Sequence, residues 1–231
     1  MKNWQIFIRQ LIDKKGYQLV LQGLGSTLQI AVFGLIIGLI FGSILAIFIL
    51  LPKTNIWAKI LAKFTQIYVA LFRGTPMVVQ LLIVHFVLFP AMGINIHSIT
   101  EGVIAFGLNS SAYICEIMRG GILSIDKGQM EAGRAIGLGY SKTMLKIIIP
   151  QAIKNVIPTL GNEFIALIKE TSIVSFIAVV DLTKAFESMA NSTYEYIVPY
   201  LMLALTYLVI VLIITGLIKI VERRLRASDR Q

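Results

Sequence analysis

The sequence predicts an all-α integral membrane protein with about five transmembrane helices. Of the 231 residues, 57% are hydrophobic and only 14% are charged, whereas a soluble domain has about 25% charged residues. The charged residues are also clustered, and none occurs between Gly16 and Pro52. A helix needs about 20 apolar residues to cross the hydrocarbon core of a bilayer, and this stretch exceeds that length.

Five segments are long and apolar enough to be predicted as spans. They are approximately residues 24–51, 64–90, 102–123, 156–180 and 197–218. The second is interrupted by Gly74-Thr75-Pro76, and we expect it to be kinked or unwound there, because proline removes a backbone hydrogen bond.

The domain organisation follows from these spans. A transmembrane domain is expected at residues 21–221, with a long loop at about 124–155 and a tail at 222–231. Residues 1–20 precede it, and the apolar side chains within residues 3–21 recur at helical spacing. This pattern predicts an interfacial helix on the membrane surface, with a disordered basic tail as the alternative.

The distribution of Lys and Arg predicts the orientation. The loops after the first and third spans, with the C-terminal tail, carry fourteen of these residues, and the opposite side carries six. Cytoplasmic loops collect Lys and Arg, so we expect the first set inside the cell and the N-terminus outside. The same bias accounts for the net charge of +9, and we predict no nucleic-acid binding.

The first predicted span carries a stripe of small residues, Gly34, Gly38 and Gly42. Glycines at this spacing allow another helix to approach closely, which favours packing within a bundle or dimer. The alternative is that the stripe reflects the general abundance of glycine in membrane helices.

The loop after the third span predicts a short helix. Asp126, with Gln129 three residues later, resembles a capping box, and Gly137 and Gly139 are typical of a helix end. A helix of about three turns between two spans is too polar to cross the membrane. Because its side chains are small, this helix can fit into a groove of another protein. We therefore favour a docking helix over a linker.

The same loop resembles that of a known family. Glu131-Ala132-Gly133, then Gly137, then nine residues to Ile147, then Pro150, is similar to the E-A-A/G-x3-G-x9-I-x-L-P loop of type I ATP-binding-cassette (ABC) importers. Ile149 stands where that family usually has leucine. Stretches similar to the histidine, glutamine and arginine permeases occur at residues 73–76, 112–121 and 162–172, and the resemblance covers residues 21–224.

This resemblance implies a fold, partners and a location. The fold would be the type I ABC importer transmembrane fold, in a bacterial cytoplasmic membrane. The resemblance implies that the loop helix is a coupling helix docking on an ATPase, which itself binds ATP and Mg; this chain would hold no cofactor, metal or catalytic residue. A second permease subunit, identical or paralogous, and an extracytoplasmic substrate-binding protein would complete the importer. The coupling residues would be Glu131, Ala132, Gly133, Gly137 and Gly139.

Among the charged residues within the predicted spans, three are candidates for a functional role, because an ionisable group there is costly unless paired or hydrated. These are Arg73, Glu116 and Glu163. Glu116 can pair with Arg73 or with Arg119, three residues later on the same helix. No basic residue lies three or four positions from Glu163, so we expect its carboxylate to bind a cationic substrate.

Further polar residues predict the lining of a substrate pathway. Arg73 and Thr75, at the broken second span, are candidates for the substrate carboxylate, because transporters expose backbone N–H groups at such breaks. The other candidates are Asn109 and Ser110 in the third span and Asn162, Thr171 and Ser172 in the fourth. Ordinary hydrogen bonding between helices is the alternative for each.

The predicted substrate is therefore a basic amino acid, namely arginine, lysine or histidine. Glutamine or another polar amino acid is the alternative. An ion channel is a distant alternative, since a channel needs a polar pore but no docking helix. An intramembrane enzyme is disfavoured, because His85 and His97 are far apart in sequence and offer no metal-ligand pair.

Overall fold

A computed structural model describes residues 2–52 and 54–227, and within this part the chain is helical with no strand. The main helices are α1 (Lys2–Leu11), α2 (Gly16–Leu50), α3 (Ile56–Gly74), α4 (Met77–Ala91), α5 (Ser98–Leu123), α6 (Lys127–Ala135), α7 (Ile149–Glu170), α8 (Leu182–Thr193) and α9 (Ile197–Ala227). Of the predicted tail at 222–231, residues 228–231 lie outside the described part.

Two described helices are long and apolar enough to cross a membrane. Helix α2 has 35 residues, and its most apolar window, like that of α9, has a mean hydropathy of 2.8. Helices α3 and α4 meet the same criterion only as a pair. Helices α5 and α7, with 26 and 22 residues, are long enough at about 1.5 Å per residue but more polar. The total of five spans therefore stays a prediction.

The predicted break in the second span is confirmed. Helix α3 ends at Gly74, Pro76 has an extended backbone with φ −63° and ψ 138°, and α4 begins at Met77. The chain bends by 106° between the two helices. A helix tolerates proline in its first turn but not in its interior. The break between α3 and α4 therefore lies next to Pro76.

The predicted fourth span, 156–180, extends beyond the end of the α-helix that the structure shows there. Helix α7 begins at Ile149 and ends at Glu170, and a 3₁₀-helix, Thr171–Ile177, follows it. The Thr171 hydroxyl donates to the Ile168 carbonyl oxygen at 2.7 Å, as hydroxyl side chains do where they compete with helical hydrogen bonds. Of the apolar residues after Glu170, Val174, Ile177 and Val179 are buried in protein, whereas Phe176 is exposed.

The described residues within Met1–Ile36, Thr75–Gly107 and Phe164–Thr215 form one compact unit. Ile30, Phe106 and Leu167 are among the fully or nearly fully buried side chains of its core. Phe7 of α1 is 3% exposed and belongs to a cluster with Leu182, Phe186 and Met189 of α8. Part of the apolar face of α1 thus packs on protein, and its location at a membrane surface stays a prediction.

The described residues within Ile37–Gly74, Leu108–Glu163 and Gly216–Gln231 form a second compact unit, whose core includes Leu45, Val69 and Cys115. Here α2 approaches α5 so closely that a Cβ atom on Gly42 would lie 2.7 Å from the Ser111 carbonyl oxygen. The glycine stripe of α2 therefore serves close helix packing within this chain.

Candidate functional site

The predicted loop helix is present and begins where the sequence indicates. It is α6, whose nine residues begin after Asp126. The Asp126 carboxylate accepts a hydrogen bond from the Gly128 backbone N–H at 2.6 Å. The helix ends at Ala135, and Gly137 has a left-handed backbone with φ +86°. Glycine adopts this conformation without steric cost, so both helix ends are set by local sequence.

Helix α6 has one buried and one exposed side. A Cβ atom on Gly133 would lie 2.5 Å from Cγ2 of Thr143, so the absence of a side chain allows α6 to pack on the turn at Tyr140–Thr143. Glu131 and Ala132 are exposed, as are Gly137 and Gly139. Glu131 and Ala132 lie on the outward side and are available to a partner protein, whereas Gly133 allows the helix to pack on the rest of the chain.

In the second unit, Arg73 and Arg119 form a charge cluster around Glu116. Arg119 donates to this carboxylate from Nε at 3.1 Å and from Nη2 at 2.7 Å. Nη1 of Arg73 lies 3.7 Å from Glu116 Oε2, and the Arg73 guanidinium lies 5.4 Å from the centroid of the Tyr113 ring. Both predicted pairings of Glu116 therefore occur together, and the Arg73 guanidinium is held by a carboxylate and an aromatic face.

Glu163 lies on α7 beside a buried serine of α5. The Ser110 hydroxyl donates to Glu163 Oε1 at 3.1 Å. Ser110 is fully buried, whereas Glu163 is partly exposed. The neighbouring Asn162 is exposed, and Asn109 donates from Nδ2 to the Phe72 carbonyl oxygen at 3.5 Å. The carboxylate is thus both oriented by protein and reachable from outside the core.

The predicted polar residues of the first unit have mixed roles. Thr75 accepts two hydrogen bonds from Gln80 Nε2, at 2.8 Å on its hydroxyl and 3.0 Å on its carbonyl oxygen, which stabilises the break before α4. Thr171 is fully buried and helps to end α7. Ser172 lines a cavity in this unit.

No group of three or more His, Cys, Asp or Glu residues arranged to hold a metal ion occurs in the described part of the chain.

Comparison with known proteins decides the family. Residues 34–227 match the model of the binding-protein-dependent transport system inner membrane component. The chain belongs to this family. It is 43% identical over 211 residues to the arginine transport system permease protein ArtQ of Bacillus subtilis, covering 91% of this chain and 94% of the relative. It is 39% identical over 209 residues to a putative glutamine transport system permease protein GlnP of Rickettsia bellii, covering 90% of this chain and 94% of that one.

A solved structure has the same fold. The crystal structure of an amino acid ABC transporter with histidines matches with a TM-score of 0.84 and 39% identity, covering 93% of this chain and 97% of that one. This protein is therefore the membrane permease of an amino-acid ABC importer, with the type I importer fold, and is not itself an enzyme. Such a permease works with a separate ATPase and a substrate-binding protein.

Sequence reasoning missed several residues of the permease. The Tyr68 hydroxyl lies 2.8 Å from the Leu108 carbonyl oxygen and 2.7 Å from the Ser111 hydroxyl, and so links α3 to α5. His85 of α4 contacts the buried carboxylate of Glu101 on α5. The available signal was a polar or charged side chain within an apolar stretch, which also marks many structural positions.

Proposed function

We propose that this permease imports a basic amino acid, namely arginine, lysine or histidine, and that Glu163 contacts its cationic group. The observation that carries this proposal is the partly exposed Glu163 carboxylate, oriented by the Ser110 hydroxyl at 3.1 Å. The similarity to an arginine permease and to a transporter crystallised with histidines supports the same substrate class.

Proposed substrate contacts occur in each compact unit. In the second unit they are Arg73, Asn109, Ser110, Asn162 and Glu163, and in the first they are Thr75, Thr171 and Ser172. The charge cluster at Glu116, with Arg119, serves as a structural ion pair in this proposal.

The proposed mechanism joins substrate passage to ATP hydrolysis through α6. Two permease subunits, identical or paralogous, pair around one pathway. The partner ATPases bind ATP and Mg, close, and draw the two α6 helices together, which switches the pathway from inward-facing to outward-facing. The exposed Glu131 and Ala132 support docking at this helix. The excess of Lys and Arg in the same loop supports a cytoplasmic location, with the N-terminus outside.

Glutamine is the second candidate substrate, favoured by the 39% identity to the Rickettsia permease. A glutamine side chain carries no charge and would gain only a neutral donor bond to Glu163. The two candidates therefore differ in how strongly transport depends on the charge of that carboxylate.

Uptake by the complete complex reconstituted in proteoliposomes tests this proposal with the variant Glu163→Gln. A charge-assisted hydrogen bond contributes about 1.5–3 kcal/mol, and about 1.4 kcal/mol corresponds to a factor of ten. Arginine uptake by the variant should therefore fall by about tenfold or more, with glutamine uptake, where measurable, much less affected. The control is Glu187→Gln, which removes a carboxylate on α8 that pairs with Lys184. Unchanged arginine uptake, or a wild type that takes up glutamine and not arginine, would refute the basic substrate.

A further inference from the structure

The exposed side of α7 is polar through the middle of the helix. Between positions 151 and 163 the exposed residues are Gln151, Ile153, Asn155, Thr159 and Asn162. The four polar residues follow one another at intervals of four, four and three positions, and residues at this spacing share one face of a helix. We call them the polar face of α7, and the half-buried Glu163 continues this face.

The polar face is unlike a surface in contact with lipid. Helix α7 has 22 residues, enough to cross a bilayer at about 1.5 Å per residue, and polar side chains exposed at membrane depth face protein or a water-filled cavity. Helix α9 shows the opposite pattern, since its exposed residues between positions 201 and 213 are all apolar, as contact with lipid requires. The polar face of α7 therefore borders water or protein.

A cavity of about 430 Å³ lies beside the polar face, between α5 and α7 in the second compact unit. Its volume is within the range of small-molecule sites. Asn155 and Thr159 line it from α7, and Ser124 lines it from α5. Asn155 donates from Nδ2 to the Ser124 hydroxyl oxygen at 3.0 Å. A Cβ atom on Gly121 would lie 2.1 Å from Cγ2 of Val156, so this glycine allows the two helices to contact each other along one wall.

The lining of this cavity suits passage better than tight binding. Glu116 is the only charged residue among those that line it, and its carboxylate lies 2.7 Å from Nη2 of Arg119 and 3.7 Å from Nη1 of Arg73. The other polar side chains of the lining are hydroxyls and an amide, whose hydrogen bonds are weaker than those of charged groups. A route for a solute needs contacts that admit it and also release it.

We propose that the polar face of α7 and this cavity form the inner half of the substrate pathway, along which the amino acid passes from Glu163 to the cytoplasm. The inference rests on the proposed substrate contact at Glu163. Thr159 and Asn155 lie four and eight residues nearer the start of α7 than Glu163, and this start is the cytoplasmic end in the proposed orientation. The competing occupant of the polar face is a second permease subunit.

Reactivity of introduced cysteines from the cytoplasmic side tests the pathway. The variants are Thr159→Cys and Asn155→Cys in the complete permease–ATPase complex, kept without nucleotide in inside-out membrane vesicles. The reagent is a membrane-impermeant methanethiosulfonate, which reacts with a thiolate. The matched control is Ile153→Cys. Ile153 is 48% exposed and lines an apolar cavity, and about 200° of helical rotation separates it from Asn155. The unsubstituted protein, whose Cys115 is buried, gives the background.

Both pathway variants should react about tenfold or more faster than Ile153→Cys, because a rise of one unit in the pKa of a thiol in lipid lowers its thiolate fraction about tenfold. After purification and reconstitution with the binding protein, each labelled pathway variant should lose most of the uptake of the same variant left unlabelled. The labelled control should lose none. Reactivity equal to that of the control, or labelling that leaves uptake unchanged in both variants, overturns the pathway.

Two further outcomes separate this inference from its alternatives. Low reactivity at both positions, with a disulfide that joins two permease subunits there, assigns the polar face to the subunit interface and overturns the proposal. Labelling needs no substrate and is therefore independent of the substrate class. A wild type that takes up glutamine and not arginine contradicts only the basic substrate, and glutamine uptake then provides the measurement for the labelled complexes.

Discussion

Single glycines decide how closely α2 can approach α5. A Cβ atom on Gly38 would lie 2.8 Å from the Ser110 hydroxyl oxygen, and one on Gly42 would lie 2.7 Å from the Ser111 carbonyl oxygen. Gly25, on the same helix, has nothing within 4 Å of such an atom. A backbone carbonyl cannot move aside as a flexible side chain can. An added methyl group should therefore be unfavourable at Gly42 and tolerated at Gly25.

Gly42→Ala should therefore destabilise the permease by about 1–3 kcal/mol through overpacking. Gly25→Ala, the matched control, should be neutral or stabilising by about 0.5–1 kcal/mol, since alanine favours a helix. Thermal unfolding of the two purified variants in detergent compares them directly. Equal melting temperatures would contradict the close contact of α2 with α5.

The sequence predicted local contacts of single residues better than distant ones. Arg119 lies three residues from Glu116, and helical geometry alone makes that pair a candidate. The contact between Ser110 and Glu163 joins residues 53 positions apart, and only the packing of α5 on α7 brings them together.

At the scale of elements, helix ends were predictable where their signals are local. Asp126 and Gly137 specify the start and end of α6, and both act as expected. The end of α7 was not predictable, because apolar residues buried in protein and apolar residues in lipid have the same hydropathy. The fold thus has a 3₁₀-helix where the sequence predicts the end of a span.

Two helical irregularities share a feature that was not predicted. The π-helical turns Val84–Leu88 and Met144–Ile148 each end two residues before a proline, Pro90 and Pro150. Proline cannot donate to the carbonyl four residues earlier, and its ring crowds that carbonyl. A wider turn relieves the crowding, so proline reshapes these turns without ending the helical path.

Cysteine labelling of exposed positions between the long helices can test the predicted membrane orientation. A cysteine placed at Asn95 should react with a membrane-impermeant maleimide added to intact cells, and one at Lys142 should react only after the cells are opened. Both positions are exposed, and the native Cys115 is fully buried, so the unsubstituted protein is the control for background. Opposite accessibility would place α6 outside and contradict docking on a cytoplasmic ATPase.

At the scale of the whole molecule, sequence motifs predicted the family more reliably than the architecture. The loop motif from Glu131 to Pro150 and three further stretches pointed to an amino-acid importer permease, and the family match over residues 34–227 confirms this. Hydropathy alone could not establish how many helices cross the membrane. Helices α5 and α7 carry Asn109, Ser110, Glu116 and Glu163, and they are not among the helices apolar enough to be identified as spans.

The central claim is that α6 transmits ATP hydrolysis by a partner to this permease. The most direct measurement is the ATPase activity of the reconstituted complex, with and without loaded binding protein, for Glu131→Lys and Gln129→Lys. Both residues are exposed on α6, and about 200° of helical rotation separates them. Loss of a buried interfacial charge contact costs about 2–5 kcal/mol. Glu131→Lys should therefore abolish the stimulation while the complex still assembles, and Gln129→Lys should retain it. Full stimulation in an assembled Glu131→Lys complex would contradict coupling through α6.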